Sequence, residues 1–476
     1  MDTTTRKLIR IHWSLSAILL TLPFVTWALL LLQPTSDDWS YLTKPLVYDK
    51  WDASLFLPYS NYWRPFDALI GSLLGSAPAA FPALNHILIL LAHVAGALIV
   101  NRLCAIMDAS PAARNAATLF FYCSTGVMGT ILGIDSINQA MATTFGLLGL
   151  LAFLPRQGRR PRYMAWLLLT ITATFMKENG ITWTVVTPLM AYGLRLADSK
   201  TLCRALTMGI IAAAVYVAVR FSVADNGGII YTPSSHNWHD TIEGICIFLF
   251  MTWVPADYMC IVYPPERNLF VAALTILAGA PFLWLLFRSF LRMRKDRLTI
   301  VLILCMLAAA MPNLLTWSSP MHTYSILPMA ALLTARLYDN IHTRHLVPAF
   351  AIYMTTAMGT VAHHIAASYQ SGITGQALGR ETIAQCPPTP VNKVFVINTD
   401  NSQPQYSSFR VPPFSAYGWG IAAYQETGWL WPREMTDTCI ASAPPDRIRQ
   451  IADSAMSKGY ESVWIYKDGH IKVINK

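Results

Sequence analysis

The chain contains 476 residues, of which 54% are hydrophobic and only 13% are charged, with a net charge of +9. Soluble domains carry about a quarter charged residues, so this composition excludes an ordinary soluble enzyme. Apolar runs of about 17 to 25 residues, the length that crosses a bilayer, recur along the chain. The composition predicts an α-helical polytopic membrane protein.

The apolar runs predict about eleven transmembrane helices. No small-residue cleavage site follows the first run, so we interpret it as a retained span rather than a signal peptide. The segment 242–265 is also apolar, but counting it as a span would place the arginine-rich loop 288–297 outside. We therefore interpret it as a partly buried outer helix that ends at Pro255. The predicted spans are 11–32, 82–104, 115–131, 138–154, 163–176, 180–196, 205–222, 268–288, 298–317, 323–338 and 345–366.

The positive charge reflects topology rather than nucleic-acid binding. Lys and Arg concentrate in alternate loops, such as 155–162 and 288–297, and the positive-inside rule places those loops in the cytoplasm. The opposite loops and the tail then face outwards. Because the chain contains no Asn-x-Ser/Thr sequon, we expect the outer side to be a bacterial periplasm and the membrane to be the inner membrane.

The same pattern predicts two domains. Residues 1–366 form the transmembrane domain, with long external loops at 33–81 and 223–267. The first of these loops contains a short amphipathic helix with Pro65 in its first turn. Residues 367–476 form a small periplasmic α/β domain. Its patterns predict a strand at 392–398, a helix at 445–459 and a hairpin at 461–475 that turns at Asp468-Gly469.

Several charged side chains are predicted at the outer face, close to apolar segments, where charges are costly and usually paired or functional. A carboxylate can act as general base towards a hydroxyl nucleophile, and Lys and Arg can hold a phosphate leaving group. No GxGxxG or P-loop motif is present, so no soluble nucleotide is expected. These residue types favour transfer of a group from a lipid phosphate. The charged residues are Asp37, Asp38, Arg64, Asp135, Lys177 and Glu178.

Each signal has an ordinary structural explanation. An acidic pair after a span is more often a solvated interfacial pair, and Lys177-Glu178 is more often a simple ion pair. His86 and His93 are seven residues apart on one helix face and are more often packing histidines. The functional interpretation depends on all the charges lying at one face of the membrane.

The chain resembles the GT-C membrane glycosyltransferases, and within them the protein O-mannosyltransferase-like and TMTC-like branch. The resemblance covers roughly residues 11–366 and implies a donor sugar on a polyprenyl phosphate, used at the outer face. The motifs that carry the resemblance are "DDW" (37–39), "YWRPF" (62–66), "LNHILILLAHVAGALIV" (84–100), Asp135, "FMKENGITWTVVTPLMAYG" (175–193) and "WVPADY" (253–258).

The resemblance also implies roles for single residues. Asp37 or Asp38 is the expected catalytic base, with Asp135 as the second acidic position. Arg64, Lys177 and Glu178 match the donor-phosphate side. Where relatives tend to show an Arg-Tyr before "YLP", this chain has "MHTYSILP" (321–328), so His322 or Tyr324 would have to replace that contact. His86 and His93 match the histidine pair that members carry in one span.

The leading hypothesis is an inverting sugar transferase with a lipid-phosphate-linked donor and a periplasmic acceptor, either a glycan or a protein such as a pilin. No protein ligands for a metal are assigned, although a divalent cation, Mg²⁺ or Mn²⁺, stays open. A transporter or flippase of lipid-linked glycans would carry its charges near mid-membrane and often show inverted repeats. A non-catalytic scaffold that binds a partner would tolerate loss of Asp37 and Asp38.

Cys386 and Cys439 are the only cysteines in the predicted external domain. An oxidising periplasm permits a disulfide between them. In the chain-entropy model, closing a loop of about 50 residues contributes roughly 3 to 4 kcal/mol. We therefore predict that these two cysteines are bonded.

Overall fold

The computed structural model of the chain describes residues 13–32, 34, 38, 41, 56–58, 63–155, 161–222, 238–262, 267–315, 319–385, 392–399, 434–440, 443–467 and 470–475. Helices dominate the first 385 residues, and a small sheet follows them. In chain order the helices of the first part are α1 (Trp13–Leu31), α2 (Pro65–Gly75), α3 (Ala83–Ile106), α4 (Pro111–Cys123), α5 (Met128–Ile131), α6 (Ile137–Phe153), α7 (Tyr163–Met176), α8 (Trp183–Gly193), α9 (Ser199–Ser222), α10 (Trp238–Trp253), α11 (Met259–Val262), α12 (Leu269–Met293), α13 (Arg297–Leu314), α14 (Leu327–Tyr338) and α15 (Leu346–Gln385).

Among the described residues, seven helices are long and apolar enough to cross a membrane, which confirms the polytopic membrane class. They are α1, α3, α6 with its preceding turn, α9, α12, α13 and the first part of α15. Four of the eleven predicted spans correspond to helices shorter than 18 residues, namely α4, α7, α8 and α14. The count of eleven therefore stays a prediction.

The long helices divide into central and peripheral ones. The span that contains α6 is 72% buried inside the protein, whereas the spans of α1 and α9 are each 17% buried. Exposed leucine, isoleucine and phenylalanine side chains cover the peripheral helices. A bilayer solvates such side chains, so a peripheral apolar face needs no protein partner.

Local sequence sets several helix ends. Ser110 accepts a hydrogen bond from the N–H of Ala113 and so caps α4, with Pro111 at its first position. Asp296 caps α13 in the same way through the N–H of Thr299. The helix expected in the first external loop exists as α2 and begins at Pro65. Helix α15 runs through residue 366, so the predicted domain boundary falls inside a helix.

Four short 3-10 segments join helix ends and carry most of the site described below. Each is three to six residues long, so it joins two helices without a long loop. They are Thr125–Val127, Ile134–Ser136, Glu178–Thr182 and Pro320–Ser325.

The apolar segment 242–265 forms α10, a turn and the short α11. Helix α10 ends at Trp253, two residues before Pro255, as the sequence predicts. Two hydrogen bonds hold the turn against α15: the Tyr353 hydroxyl donates to the Trp253 carbonyl at 2.9 Å, and the Thr360 hydroxyl donates to the Pro255 carbonyl at 3.0 Å. This segment is absent from the seven candidate spans within the described chain.

The C-terminal part is a four-stranded sheet with one helix, α16 (Pro445–Ser457). The strands are β1 (Lys393–Asn398), β2 (Glu434–Cys439), β3 (Ser462–Lys467) and β4 (His470–Asn475), in the order β2-β1-β3-β4. Strands β2, β1 and β3 run parallel, and β4 is antiparallel to β3. The predicted strand, helix and hairpin strands are confirmed, while Asp468-Gly469 lies outside the described residues. Strand β2 was not predicted because its sequence, EMTDTC, is mostly polar and lies at the sheet edge.

Candidate active site

Two carboxylates converge beside Gly133, just before α6. The backbone N–H of Asp135 donates to Oδ1 of Asp38 at 3.0 Å, across 97 positions of sequence. A Cβ added to Gly133 would lie 2.9 Å from Oδ1 of Asp135 and 3.7 Å from Oδ1 of Asp38. The Ser136 hydroxyl lies 3.2 Å from Oδ1 of Asp135. The structure thus brings Asp38 and Asp135 together, whereas Asp37 lies outside the described residues.

Lys177 lies where α7 ends and the next 3-10 segment begins. Its backbone is extended (φ −154°, ψ 142°), and its side chain is only 8% exposed. Among the described residues, its ammonium has one hydrogen-bond partner, Sδ of Met321 at 3.6 Å, and no ion pair. Burial, and then the charge of Arg64, lower the pKa of Lys177 to about 8, although Asp135 and Glu178 act in the opposite direction. A buried cation with so weak an acceptor is suited to an anionic ligand.

Glu178 holds two arginines next to Lys177. Nε of Arg64 lies 2.8 Å from both carboxylate oxygens, and one Nη lies 2.6 Å from Oε2. Arg220, in the last turn of α9, lies 4.0 Å from Oε1. Burial raises the pKa of Glu178, but the Arg64 guanidinium outweighs burial, so the pKa is lowered and the group stays ionised. Arg64 and Glu178 therefore meet as predicted, and Arg220 is an additional cation.

A buried phenol–carboxylate pair lies on the Arg64 side. The Tyr41 hydroxyl donates to Oδ1 of Asp67 at 2.6 Å, and both side chains are buried. Burial and the neighbouring Asp67 charge raise the pKa of Tyr41 well above its ordinary value, so the phenol stays protonated. Neither residue was predicted, because an acidic residue in the first turn of a helix is ordinary in sequence.

An apolar cavity of about 220 Å³ opens beside Arg64, between α7, α8 and α9. Its aromatic wall is formed by Trp63, Phe175 and Tyr216. The rings of Trp63 and Tyr216 stack with centroids 5.2 Å apart, and the Tyr216 hydroxyl donates to the Trp63 carbonyl at 3.3 Å. The cavity is thus an apolar space whose wall includes Trp63, the residue before Arg64.

The histidines and Tyr324 pack among aromatic rings and turns. His93 contacts the Tyr324 hydroxyl at 2.9 Å through Nδ1 and the Tyr122 carbonyl at 3.1 Å through Nε2. His322 accepts from the N–H of Ser319 at 3.3 Å and so closes a capping box in its own turn. His86 is buried, and no described residue is a hydrogen-bond partner of its ring nitrogens.

Met321, rather than its neighbours His322 and Tyr324, reaches Lys177. Its sulfur lies between the Lys177 ammonium at 3.6 Å and the Ser136 hydroxyl at 3.9 Å. No sequence pattern singles out this residue, because methionine is an ordinary apolar residue in such a chain. The roles that the family resemblance implies for His322 and Tyr324 stay predictions.

Two polar groupings outside this set were also missed. The Asn179 amide donates to Oε1 of Gln139 at 2.9 Å, which joins the segment after Lys177 to the first turn of α6. Asp257 is buried between two adjacent histidines of α15, with Oδ2 2.7 Å from Nδ1 of His363 and Oδ1 2.6 Å from Nε2 of His364. Both groupings connect residues more than 35 positions apart, which no local pattern reveals.

No cluster of three or more His, Cys, Asp or Glu side chains in the described part of the chain is arranged to hold a metal ion. The expectation of Mg²⁺ or Mn²⁺ therefore has no set of protein ligands among these residues. Cys386 lies outside the described residues, and Cys439 ends β2. The disulfide stays a prediction.

No model of a known protein family and no curated protein sequence matches the chain significantly. Solved structures match over nearly its whole length, among them structures of two different proteins. ArnT from Cupriavidus metallidurans, solved with bound undecaprenyl phosphate, superimposes with a TM-score of 0.50 at 10% identity, covering 97% of both chains. The Archaeoglobus fulgidus oligosaccharyltransferase, solved with a tethered acceptor peptide, superimposes with a TM-score of 0.50 at 13% identity, covering 96% of this chain and 69% of that one. The chain therefore has a GT-C-like overall fold, which it shares with these two structures.

Proposed function

We propose that the protein is a membrane glycosyltransferase that moves a sugar from a polyprenyl-phosphate-linked donor to an acceptor in the periplasm. The observation that carries the proposal is the buried Lys177 ammonium, whose hydrogen-bond partner among the described residues is a thioether. It interacts electrostatically with Asp135, which itself contacts Asp38. A phosphate supplies a charged acceptor, which none of the described residues gives this ammonium within hydrogen-bond distance. The shared fold with ArnT, which was solved with a polyprenyl phosphate, supports this class of donor.

The proposed reaction is a single displacement. One carboxylate of the pair Asp37-Asp38, with Asp135 beside it, removes the proton of an acceptor hydroxyl. The acceptor oxygen forms a bond to the anomeric carbon while the bond from that carbon to the phosphate oxygen breaks. The electron pair of the broken bond leaves with the polyprenyl phosphate, whose charge Lys177 and Arg64 stabilise. One displacement inverts the anomeric centre.

The apolar cavity beside Arg64 is the proposed site for the first isoprenoid units of the donor. Its lining is aromatic and aliphatic, and its volume of about 220 Å³ suits a short length of hydrocarbon. Trp63 in its wall directly precedes Arg64, and Tyr216 in its wall lies one helical turn before Arg220. With its phosphate at Lys177, the donor would direct its polyprenyl chain out of the site between α7 and α9.

A transporter of lipid-linked glycans and a non-catalytic scaffold are the competing functions. The site charges lie at helix termini, with Asp135 before α6, Lys177 after α7 and Arg220 in the last turn of α9. A transporter that binds its substrate at mid-membrane would place them inside the spans. A scaffold gives no reason to bury a lysine without an anionic partner.

The test is transfer from defined donors by purified protein in nanodiscs. Polyprenyl-phosphate sugars are supplied with extracts of periplasmic glycans and proteins, and transferred sugar is identified by mass spectrometry. We expect Asp37→Asn or Asp38→Asn to lower turnover by about 10²- to 10⁴-fold, the usual cost of losing a general base, and Lys177→Met to weaken donor binding.

Lys200→Met is the matched control, because Lys200 is exposed at the start of α9, away from the site. Near-normal turnover in both aspartate variants and in their double variant would reject the catalytic assignment. Unchanged donor affinity in Lys177→Met would reject the assignment of Lys177 to the donor phosphate.

A further inference from the structure

Two buried amides connect the segment that follows Lys177 to helix α6. The Asn179 amide donates to Oε1 of Gln139 at 2.9 Å, and both side chains are buried. Among the described residues, no other hydrogen bond joins the segment Glu178–Thr182 to α6. This contact therefore links two parts of the fold that are 40 positions apart in sequence.

The bond lies close to two residues of the proposed site. Asn179 follows Lys177 by two positions, and Gln139, in the first turn of α6, follows Asp135 by four. In the proposed reaction Lys177 binds the phosphate that leaves, and Asp135 lies beside the base, so the sugar has to fit between these two segments. Because each backbone carries its side chain, the separation of the segments sets the separation of base and leaving group.

Other contacts of the segment hold it to its own helix junction. The Gly180 N–H donates to the Lys177 carbonyl at 2.8 Å, and the Thr182 hydroxyl donates to the Asn179 carbonyl at 2.8 Å. A Cβ added to Gly180 would lie 2.3 Å from the carbonyl carbon of Ala173 in α7, so only glycine permits this close approach. These contacts fix the shape of the turn, and none of them reaches α6.

The amide pair is not the most stable choice for this buried place. Within the described part of the chain, Nε2 of Gln139 has no hydrogen-bond partner, and an unpaired buried N–H destabilises a fold. Replacing both partners of a buried hydrogen bond by apolar groups of the same shape is often neutral or stabilising. A hydrogen bond, unlike an apolar contact, has a preferred length and direction. The pair thus supplies a defined separation rather than stability.

We propose that Asn179 and Gln139 are positioning residues, whose hydrogen bond fixes the separation of the phosphate-binding lysine from the carboxylate turn. The catalytic consequence rests on the proposed function, whereas the structural link does not. Loss of the bond should leave phosphate binding intact, because neither amide is a hydrogen-bond partner of the Lys177 ammonium. It should slow transfer, because a misplacement of about 1 Å costs on the order of 10²-fold in rate.

Two double variants separate the hydrogen bond from packing. The apolar variant, Gln139→Met with Asn179→Leu, replaces both amides by apolar side chains of similar volume. The exchanged variant, Gln139→Asn with Asn179→Gln, keeps both amides and their summed length, so the bond can form again. We expect both double variants to keep a Tm close to that of wild type. The single variant Asn179→Ala takes the place of the apolar variant should the latter fail to fold.

Hydrogen exchange followed by mass spectrometry tests the link without any activity. Peptides that cover residues 177–182 should exchange faster in the apolar variant than in wild type, and the exchanged variant should match wild type. Peptides from the buried helix α14 serve as the control and should exchange alike in all three proteins. Equal exchange of residues 177–182 in wild type and the apolar variant would overturn the proposal.

The second test compares turnover with binding. We expect the apolar variant to lower kcat by about 10- to 10²-fold, with the Kd for polyprenyl phosphate unchanged, and the exchanged variant to recover most of kcat. Lys177→Met should show the other pattern, a weakened Kd. The matched control is Gln450→Met, at an exposed position of α16.

Normal kcat in the apolar variant, or equal losses in the apolar and exchanged variants, would overturn the positioning role. If wild-type protein transfers no sugar from any donor, the proposed function fails, and hydrogen exchange still decides whether the amide pair holds the segment.

Discussion

Replacing Lys177 by methionine should stabilise the donor-free protein while it weakens donor binding. The side chain is 8% exposed, and its pKa is about 8 instead of the ordinary 10.5. That difference corresponds to about 3 kcal/mol by which the folded state disfavours the charged lysine at pH 7. Because the folded pKa is the lower one, this penalty applies below pH 8 and disappears as the pH rises towards 10.5. Methionine removes the penalty and keeps most of the apolar stem.

The assay is thermal unfolding in detergent between pH 6.5 and 10, with and without a polyprenyl phosphate. We expect Lys177→Met to raise Tm most at low pH, and the advantage to fall above pH 8. Added lipid phosphate should stabilise wild type more than the variant, because the wild type binds it more tightly. Lys200→Met should match wild type throughout. A lower Tm for both Lys177→Met and Lys177→Gln at pH 7 would refute the reasoning.

Three further results are expected. Gly133→Ala should leave the fold intact, because the φ of −100° at Gly133 accepts alanine. It should lower turnover, because the new Cβ would lie 2.9 Å from Oδ1 of Asp135. Turnover equal to wild type would contradict the convergence of carboxylates beside Gly133. Asp257→Asn should lower Tm, since one buried imidazole N–H loses its acceptor at a cost of about 1 to 3 kcal/mol. The control variant Asp453→Asn, at an exposed position, should leave Tm unchanged. Equal Tm values for the two variants would contradict a stabilising role of Asp257. Non-reducing peptide mapping should find Cys386 joined to Cys439, and two free thiols would reject the bond.

The sequence by itself determined the features that depend on neighbouring residues. Runs of apolar residues defined the membrane class and most helices, and Pro65 and Pro445 marked helix starts that the structure contains. Alternation and turn residues defined β1, α16, β3 and β4. Such signals are local, because helix length, capping and strand alternation are set within one element.

The site was only partly accessible from sequence. Arg64, Asp135, Lys177 and Glu178 were identified because charges beside apolar runs are rare, and the structure does bring them near one another. Met321 gave no such signal, since one methionine among 19 looks like any other apolar residue. Its contact with Lys177 depends on the close approach of its backbone to Gly129, which only the tertiary structure shows.

The tertiary structure decided which distant residues meet. Asp38 contacts Asp135 across 97 positions, Arg64 contacts Glu178 across 114, and Lys177 contacts Met321 across 144. In a soluble protein, apolar periodicity shows which helix face is buried. In a membrane, lipid is as apolar as the protein interior, so a buried face and a lipid-facing face have the same sequence pattern. Helix neighbours, and with them the side chains at the helix ends, are therefore fixed by packing in three dimensions.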